Sequence, residues 1–141
     1  MMDATQSLID AARDAATRAY APYSNFRVGA AIRLTDGRIV TGANVENASY
    51  GLSLCAETVA IAKIANDGLL AQVVEVAVIG GTGSNPVRPC GRCRQVLNEA
   101  AQSGKRDLTI HCASGDGTAV EQHLLSDLLP HAFGPADLGI S

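Results

Sequence analysis

The sequence lacks tryptophan, long apolar runs and any excess of positive charge. No stretch reaches the roughly 20 consecutive apolar residues that a membrane-spanning helix needs, and residues 1–20 contain no apolar signal core. We therefore expect neither membrane insertion nor export, and a cytoplasmic location. The net charge of −3 argues against a nucleic-acid polymer as partner, because surfaces that bind polynucleotides are usually basic.

Charged residues are sparse, at 18% of the chain, whereas apolar residues make up 47%. This balance is typical of a compact folded protein rather than a disordered one. The 141 residues are enough for one domain with a substantial core and too few for two ordinary domains. We therefore expect a single domain over residues 1–141. So little surface charge also favours burial of part of the surface in an oligomer.

Apolar periodicity and turn residues predict the order of the helices and strands. An approximate helical stripe covers residues 3–20. Asp36-Gly37 lies between the apolar runs 26–34 and 39–45, which predicts a β-hairpin. The later predicted elements are a helix over 55–65, a strand over 73–80, a helix over 90–102, a strand over 108–113, an optional further strand without assigned bounds, and a helix over 121–129. This order indicates an α/β fold, a three-layer α/β/α sandwich with a mixed sheet of about five strands.

Three of the four cysteines form a pattern that is typical of catalytic zinc. Cys55-Ala56-Glu57 is followed by Pro89-Cys90-Gly91-Arg92-Cys93, in which two thiols are three positions apart on one side of a predicted helix. Three thiolates give a tetrahedral zinc ion soft ligands and leave its fourth position free for water. The fourth cysteine, Cys112, lies in a predicted buried strand and is expected to be a small apolar core residue.

Glu57 is two residues beyond the first of these cysteines. A carboxylate there can take a proton from water and pass it to a leaving group, which is general acid–base catalysis. Zinc with three thiolates carries a formal charge of −1, and Arg92 and Arg94 are close enough in sequence to offset it. The pattern therefore predicts a hydrolytic enzyme with one zinc ion per subunit.

Five segments of the chain resemble the small, homotetrameric, zinc-dependent cytidine deaminases. They are A-P-Y-S-N-F-R-V-G-A at 21–30, G-A-N-V-E-N-A-S-Y at 42–50, C-A-E at 55–57, P-C-G-R-C-R-Q-V-L at 89–97 and L-L-P-H-A-F at 128–133. The resemblance extends over nearly the whole chain. It implies hydrolysis of cytidine and 2′-deoxycytidine at C4 of the pyrimidine, with release of ammonia, in pyrimidine salvage.

The same resemblance implies roles for individual residues. Cys55, Cys90 and Cys93 would bind zinc, and Glu57 would transfer protons. The implied substrate-binding residues are Phe26 against the nucleoside, Asn44 and Glu46 at the ribose 3′-hydroxyl, the N–H of Ala56 at the ring carbonyl, and Ala48, Tyr50 and Phe133, which complete a neighbour's site in a homotetramer.

Two positions depart from the usual pattern of this family. Thr58 follows the C-A-E triplet where arginine is usual, and Arg92 stands where alanine is usual. We interpret the two as one exchange, in which Arg92 offsets the thiolate charge from the other helix.

Two alternatives to plain cytidine deamination remain open. The P-C-G-R-C sequence is similar to that of blasticidin-S deaminase, so a deaminase of modified or antibiotic cytosine nucleosides, including N4-substituted ones, is the alternative enzyme. A structural zinc-binding module is the alternative outside the enzymes, and it predicts a fourth protein ligand and a basic surface.

Overall fold

The computed structural model describes residues 3–140, which form a five-stranded sheet between two layers of helices. The helices are α1 Ala4–Ala16, α2 Ala56–Asn66, α3 Gly91–Gly104 and α4 Leu125–Leu128, and the strands are β1 Val28–Leu34, β2 Ile39–Ala43, β3 Val73–Gly80, β4 Thr109–Ser114 and β5 Val120–Leu124. The strand order is β2-β1-β3-β4-β5, in which β3 and β4 are parallel and the other pairs are antiparallel. The predicted three-layer α/β fold with a mixed sheet is confirmed.

Side chains of β3 alternate between the two helical layers. Val76 and Val78 face the larger core, which α2 and α3 cover, whereas Ala77 and Ile79 face α1. Because both faces of this strand are buried, the run is almost wholly apolar, as expected for a central strand. The parallel pair is joined by α3, which therefore begins at the carboxyl end of the sheet, where α/β folds place their ligands.

The helices are short, and α3 is the longest of those described, with 14 residues. Helix α1 begins after Asp3, whose carboxylate accepts the N–H of Gln6 at 2.7 Å. It ends at Ala16, earlier than the predicted stripe, and the hydroxyl of Thr17 donates to the carbonyl oxygen of Asp14 at 2.6 Å. Within residues 3–140, no helix has the length and apolar character needed to cross a bilayer.

The predicted helix over 121–129 is wrong in its first half. Residues Val120–Leu124 form the edge strand β5, which pairs antiparallel with β4, and only Leu125–Leu128 are helical. Along β5, Glu121 and His123 are half-buried while Val120 and Leu124 are exposed, which is the period of two that a strand requires. The free edge of β4 provides the pairing that overrides the local helical preference.

Two glycines allow helices from both layers to lie directly on the β1–β2 hairpin. A Cβ atom on Gly29 would lie 1.9 Å from the carbonyl oxygen of Ala12 in α1. A Cβ atom on Gly42 would lie 2.4 Å from the carbonyl oxygen of Ala56, the first residue of α2. Contact between main chains thus fixes the height of each helix above the sheet, and with it the position of the N-terminus of α2.

Candidate metal centre and active site

Three cysteine side chains meet where α2 and α3 begin. Cys55 is the N-cap residue of α2, Cys90 is the N-cap residue of α3, and Cys93 lies in the first turn of α3. Their Sγ atoms all lie within 4.8 Å of one another, and those of Cys55 and Cys90 are 3.8 Å apart. Two sulfur ligands at about 2.3 Å from a tetrahedral zinc ion are themselves about 3.8 Å apart. The three thiols therefore fit one zinc ion.

The fourth coordination position is not taken by a residue of the described chain. Among residues 3–140, no other His, Cys, Asp or Glu joins the group of three sulfurs. A structural zinc site is normally closed by four protein ligands, whereas a catalytic site leaves one position for water or substrate. The ligand set therefore favours catalysis over the structural zinc-binding module.

The surroundings of the three cysteines shift the pKa values of their thiols in different directions. Burial raises the pKa of the Cys55 and Cys93 thiols. Burial also acts to raise the pKa of Cys90, but hydrogen bonds with the main chain and thiol of Cys93 and with the thiol of Cys55 lower it overall. A coordinated metal ion would favour the thiolate form of all three, because its positive charge stabilises the deprotonated sulfur.

Glu57 lies in the first turn of α2, and it is only 3% exposed. Burial raises the pKa of its carboxyl group, against opposing hydrogen bonds from its own backbone N–H and from Cys93. A carboxyl group whose pKa is closer to neutral can both accept and release a proton during one reaction. Its environment therefore suits the proton-transfer role that the sequence predicts.

Beside the thiols lies a cavity of about 290 Å³. The cavity brings together residues that are far apart in sequence. Its lining includes seven of the predicted site residues, which are Phe26, Asn44, Glu46, Cys55, Ala56, Glu57 and Cys90. Ala56 is the first residue of α2, so its N–H has no partner within the helix and can bind a ligand group. The cavity is small, close to the lower end of the range for small-molecule sites.

Asn44 and Glu46 also hold the loop that carries Phe26. The side chain of Asn44 accepts the N–H of Val28 and donates to the carbonyl oxygen of Phe26, both at 2.9 Å. The carboxylate of Glu46 accepts N–H groups from Tyr23 at 3.0 Å and Ser24 at 3.1 Å and also the Ser24 hydroxyl. Hydrogen bonding by Ser24 lowers the pKa of Glu46, so this side chain stays ionised.

The two arginines predicted to offset the thiolate charge contact carbonyl groups. Arg92 is exposed, and its Nη1 lies 3.4 Å from the carbonyl oxygen of Ser53. Arg94 donates to the carbonyl oxygens of Pro89 at 2.7 Å and Leu128 at 2.9 Å. Besides Glu57, Thr58 also reaches a ligand sulfur, since its Oγ1 lies 3.6 Å from Sγ of Cys93.

Ala48, Tyr50 and Phe133 do not line the cavity within one chain. Tyr50 is 74% exposed and packs edge-to-face on Tyr23, with ring centroids 5.9 Å apart. The carbonyl oxygen of Phe133 accepts hydrogen bonds from Gln95 and Asn98 of α3, yet its ring is 61% exposed. Their predicted place in a neighbour's site thus stays a prediction.

Several cavity residues were not singled out from the sequence. Those residues are Val28, Ser53, Leu54, Val87 and Arg88. Arg88 forms a bidentate ion pair with Glu121 of β5, at 2.8–2.9 Å, and His123 contacts the same carboxylate at 3.0 Å. The only sequence signal for Arg88 was its position next to Pro89-Cys90, and its partner is 33 residues away.

We expect Gly42→Ala to damage the metal centre and Gly29→Ala to leave it intact. Each substitution forces a helix away from the sheet, and each should lower the free energy of unfolding by about 1–3 kcal/mol. Only Gly42 lies under α2, which carries Cys55 and Glu57, so only Gly42→Ala should also lower zinc affinity and turnover. Thermal unfolding and zinc titration of both variants provide the check, and equal zinc affinities would contradict the expectation.

We expect Thr58→Val to speed the loss of zinc. Valine has the shape of threonine but no hydroxyl, so the contact with Cys93 is lost, and groups that support ligands in this way typically change affinity by about 10–100-fold. Zinc release to a colorimetric chelator measures this loss, with Thr58→Ser as the control that keeps the hydroxyl.

Arg92→Ala tests, in the same zinc-release assay, the proposed exchange in which Arg92 offsets the thiolate charge. If it releases zinc as the wild type does, the exchange is excluded, whereas rescue by Thr58→Arg supports it.

Comparison with known proteins places the chain among deaminases. The family model described as the cytidine and deoxycytidylate deaminase zinc-binding region matches residues 2–106. The cytidine deaminase of Halalkalibacterium halodurans is 43% identical over 133 residues, which cover 94% of this chain and 96% of that protein. The cytidine deaminase of Mycobacterium tuberculosis is 47% identical over 127 residues, 90% of this chain and 87% of that protein. The crystal structure of the Burkholderia pseudomallei cytidine deaminase is similar with a TM-score of 0.81 and 44% identity, covering 90% of this chain and 97% of that one.

Proposed function

This chain belongs to the family of zinc-dependent cytidine and deoxycytidylate deaminases, and we propose that it converts cytidine and 2′-deoxycytidine to the corresponding uridines with release of ammonia. The observation that carries this proposal is the buried Glu57 beside three clustered thiols, of which those of Cys55 and Cys90 line the same small cavity as Glu57. The clustered sulfurs suit a metal ion, the carboxyl group suits proton transfer, and the cavity suits a small molecule.

The proposed chemistry is the addition of water to C4 of the pyrimidine, followed by departure of the 4-amino group. Cys55, Cys90 and Cys93 would hold the zinc ion, which would supply a Lewis acid for the activation of water. Glu57 takes one proton from the attacking water and delivers it to the ring nitrogen N3, then takes the second proton from the new hydroxyl group on C4 and delivers it to the 4-amino group, so that ammonia leaves as a neutral molecule. Burial keeps competing bulk water away from this carboxyl group.

Recognition of the nucleoside falls to the remaining cavity residues. We assign the ring carbonyl to the free N–H of Ala56 and the face of the nucleoside to Phe26. Asn44 and Glu46 bind the ribose 3′-hydroxyl, because a carboxylate accepts from a hydroxyl and an amide can donate to it. One hydrogen on Nδ2 of Asn44 remains after its bond to Phe26, so the loop contact and the ribose contact are compatible.

We further propose a homotetramer with shared active sites in the cytoplasm. Several large apolar side chains are exposed, among them Tyr50 at 74%, Leu52 at 66% and Phe133 at 61%. A second copy of the chain is the occupant that the family resemblance supplies, and Ala48, Tyr50 and Phe133 would complete its site. Four free cysteines, three of them ligands, suit a reducing compartment, and pyrimidine salvage is the process that uses this reaction. The whole function is assigned to one domain, residues 1–141.

Hydrolysis of a panel of nucleosides tests the proposal, measured as ammonia release or, for an N4-substituted cytidine, as release of the substituted amine. The panel contains cytidine, 2′-deoxycytidine, an N4-substituted cytidine and blasticidin S, each incubated with the zinc-loaded protein. We expect the first two to be the best substrates, because the ribose contacts and the small cavity favour an unmodified nucleoside. Turnover of only the modified compounds would support the alternative enzyme instead. If the folded, zinc-loaded protein hydrolyses none of them, the proposed function fails.

We expect Phe133→Ala to lower activity by way of the neighbouring subunit. Its ring is exposed while its carbonyl group is fixed on α3, so truncation should leave the free energy of unfolding of one chain nearly unchanged. Loss of a contact to substrate across the interface should raise the KM for cytidine. Sedimentation at several concentrations and steady-state kinetics measure both effects. A fully active monomer would exclude the shared site.

A further inference from the structure

A second cavity of about 380 Å³ lies on the opposite face of the sheet from α2 and α3. It is bounded by the C-terminal end of α1 and by the ends of β3 and β4. Its floor includes Ile79, Gly80 and Gly81, and its rim includes Arg13 and Arg27. None of the residues proposed to bind zinc or the nucleoside lines this cavity, so its chemistry is separate from the reaction.

The two arginines come from different elements and turn toward the same space. Nη1 of Arg13 donates to the carbonyl oxygen of Gly115 at 3.2 Å, and Nη1 of Arg27 donates to the carbonyl oxygen of Thr17 at 3.2 Å. A guanidinium group has five N–H donors, so each of these side chains retains several for a ligand. The contacts with carbonyl groups fix the position of each guanidinium group without neutralising its charge.

Carboxylates near these arginines are engaged elsewhere. Within residues 3–140, the ion pairs include neither Arg13 nor Arg27. Asp14 pairs with Arg18 at 2.8 Å. Asp116 accepts hydrogen bonds from Ser114 at 2.8 Å and from the hydroxyl of Thr118 at 2.7 Å. In a chain with a net charge of −3, two arginines without an ion pair among the described residues concentrate positive charge at one cavity, which favours an anion.

We propose that this cavity binds the phosphate group of a nucleotide. Two guanidinium groups suit phosphate, because the planar fork donates two parallel N–H groups to neighbouring phosphate oxygens. The apolar floor and the volume of about 380 Å³ leave space for a body larger than the phosphate itself. The site is therefore suited to a phosphate ester with a flat organic part, whereas the catalytic cavity takes the uncharged nucleoside.

The two sites share a wall. The ring of Phe26 lies against Gly81, where a Cβ atom would be 2.7 Å from Cε2 of Phe26, and Gly81 also lines the second cavity. Arg27 directly follows Phe26 in the chain. A ligand held by Arg27 would thus restrain the segment that presents Phe26 to the substrate, a consequence that rests on the proposed function.

Calorimetric titration of the full-length, zinc-loaded protein tests the phosphate site directly and does not depend on deamination. The probes are uridine 5′-monophosphate, inorganic phosphate and, as the uncharged match, uridine. We expect the monophosphate to bind more tightly than either of the other two. Arg13→Gln and Arg27→Gln should each weaken its binding about tenfold, the scale of one charge-assisted contact.

Arg18→Gln is the matched control, because it removes an arginine from the same region that does not line the cavity. It should leave binding of the monophosphate unchanged, and Arg13→Lys should give an intermediate affinity because it keeps charge but loses the fork. The proposal is overturned if the Arg13→Gln, Arg27→Gln double variant binds the monophosphate as the wild type does. It is also overturned if the double variant changes the oligomeric state without changing this affinity, since a carboxylate of a second copy would then be the partner of these arginines.

Discussion

Replacing Glu57 by alanine should leave a folded, zinc-loaded protein that releases almost no ammonia from cytidine. General acid–base groups contribute about 10²–10⁴-fold to rate, and we expect a loss at the upper end because one carboxyl group serves both proton-transfer steps. Zinc should stay bound, since Glu57 lies outside the group of three sulfurs. Ammonia release, zinc content and thermal unfolding of the same preparation provide the measurement.

Glu57→Gln separates the chemistry of this residue from its packing. Glutamine fills the same buried space beside the thiols but cannot carry a proton between water and an amine. We therefore expect it to be as inactive as Glu57→Ala while unfolding at a temperature close to that of the wild type. Activity within tenfold of the wild type in either variant would exclude the assigned role and leave Glu57 as a buried structural carboxyl group.

Cys93→Ala should abolish both zinc binding and turnover. Cys93 is the most buried of the three ligands, at 0% exposure, and its loss leaves only two sulfurs for the metal. Because the metal binds the folded state and not the unfolded one, the variant should also lose the stabilisation that zinc provides. Atomic absorption and thermal unfolding measure the two effects, and treatment of the wild type with a strong chelator should reproduce them.

Cys112→Ala is the matched control for this experiment. Cys112 is as buried as Cys93, in the middle of β4, and it lies outside the group of three sulfurs. Burial raises the pKa of its thiol to about 11, so this thiol stays protonated. We expect its loss to cost about 1 kcal/mol of the free energy of unfolding through a small cavity while one zinc ion per chain is retained. A variant Cys93→Ala that still bound one zinc ion would contradict the ligand assignment.

Most of the fold could be predicted because its signals are local. Asp36-Gly37 predicts the hairpin, and Gly37 adopts the positive φ of +90° that such a turn requires. The strand Val73–Gly80 follows from an apolar run. Residues 121–124 carry no comparable signal, because an edge strand with polar residues on one face becomes a strand only by pairing with β4. Its place in the sheet depends on a partner rather than on its own composition.

The candidate site divides in the same way. The thiols and Glu57 could be placed from spacing alone, because helix starts bring both segments to one end of the sheet. The contacts of Arg92 could not be predicted, since they depend on where the 53–55 segment passes. The pairing of Arg88 with Glu121 was also beyond prediction, because it joins the cavity to a strand that the sequence did not identify. Contacts between distant segments depend on positions that the sheet sets, and the local sequence does not show those positions.

The exposed aromatic and aliphatic side chains beside the cavity have a consequence for how this protein behaves on dilution. If Tyr50 and Phe133 belong to a neighbour's site, an isolated chain is a catalyst with missing parts. Specific activity would then fall as the protein is diluted below the dissociation constant of the assembly and recover with second-order kinetics on reconcentration. Substrate, by bridging two chains, would delay that fall, so a stock diluted into cytidine would keep more activity than one diluted into buffer.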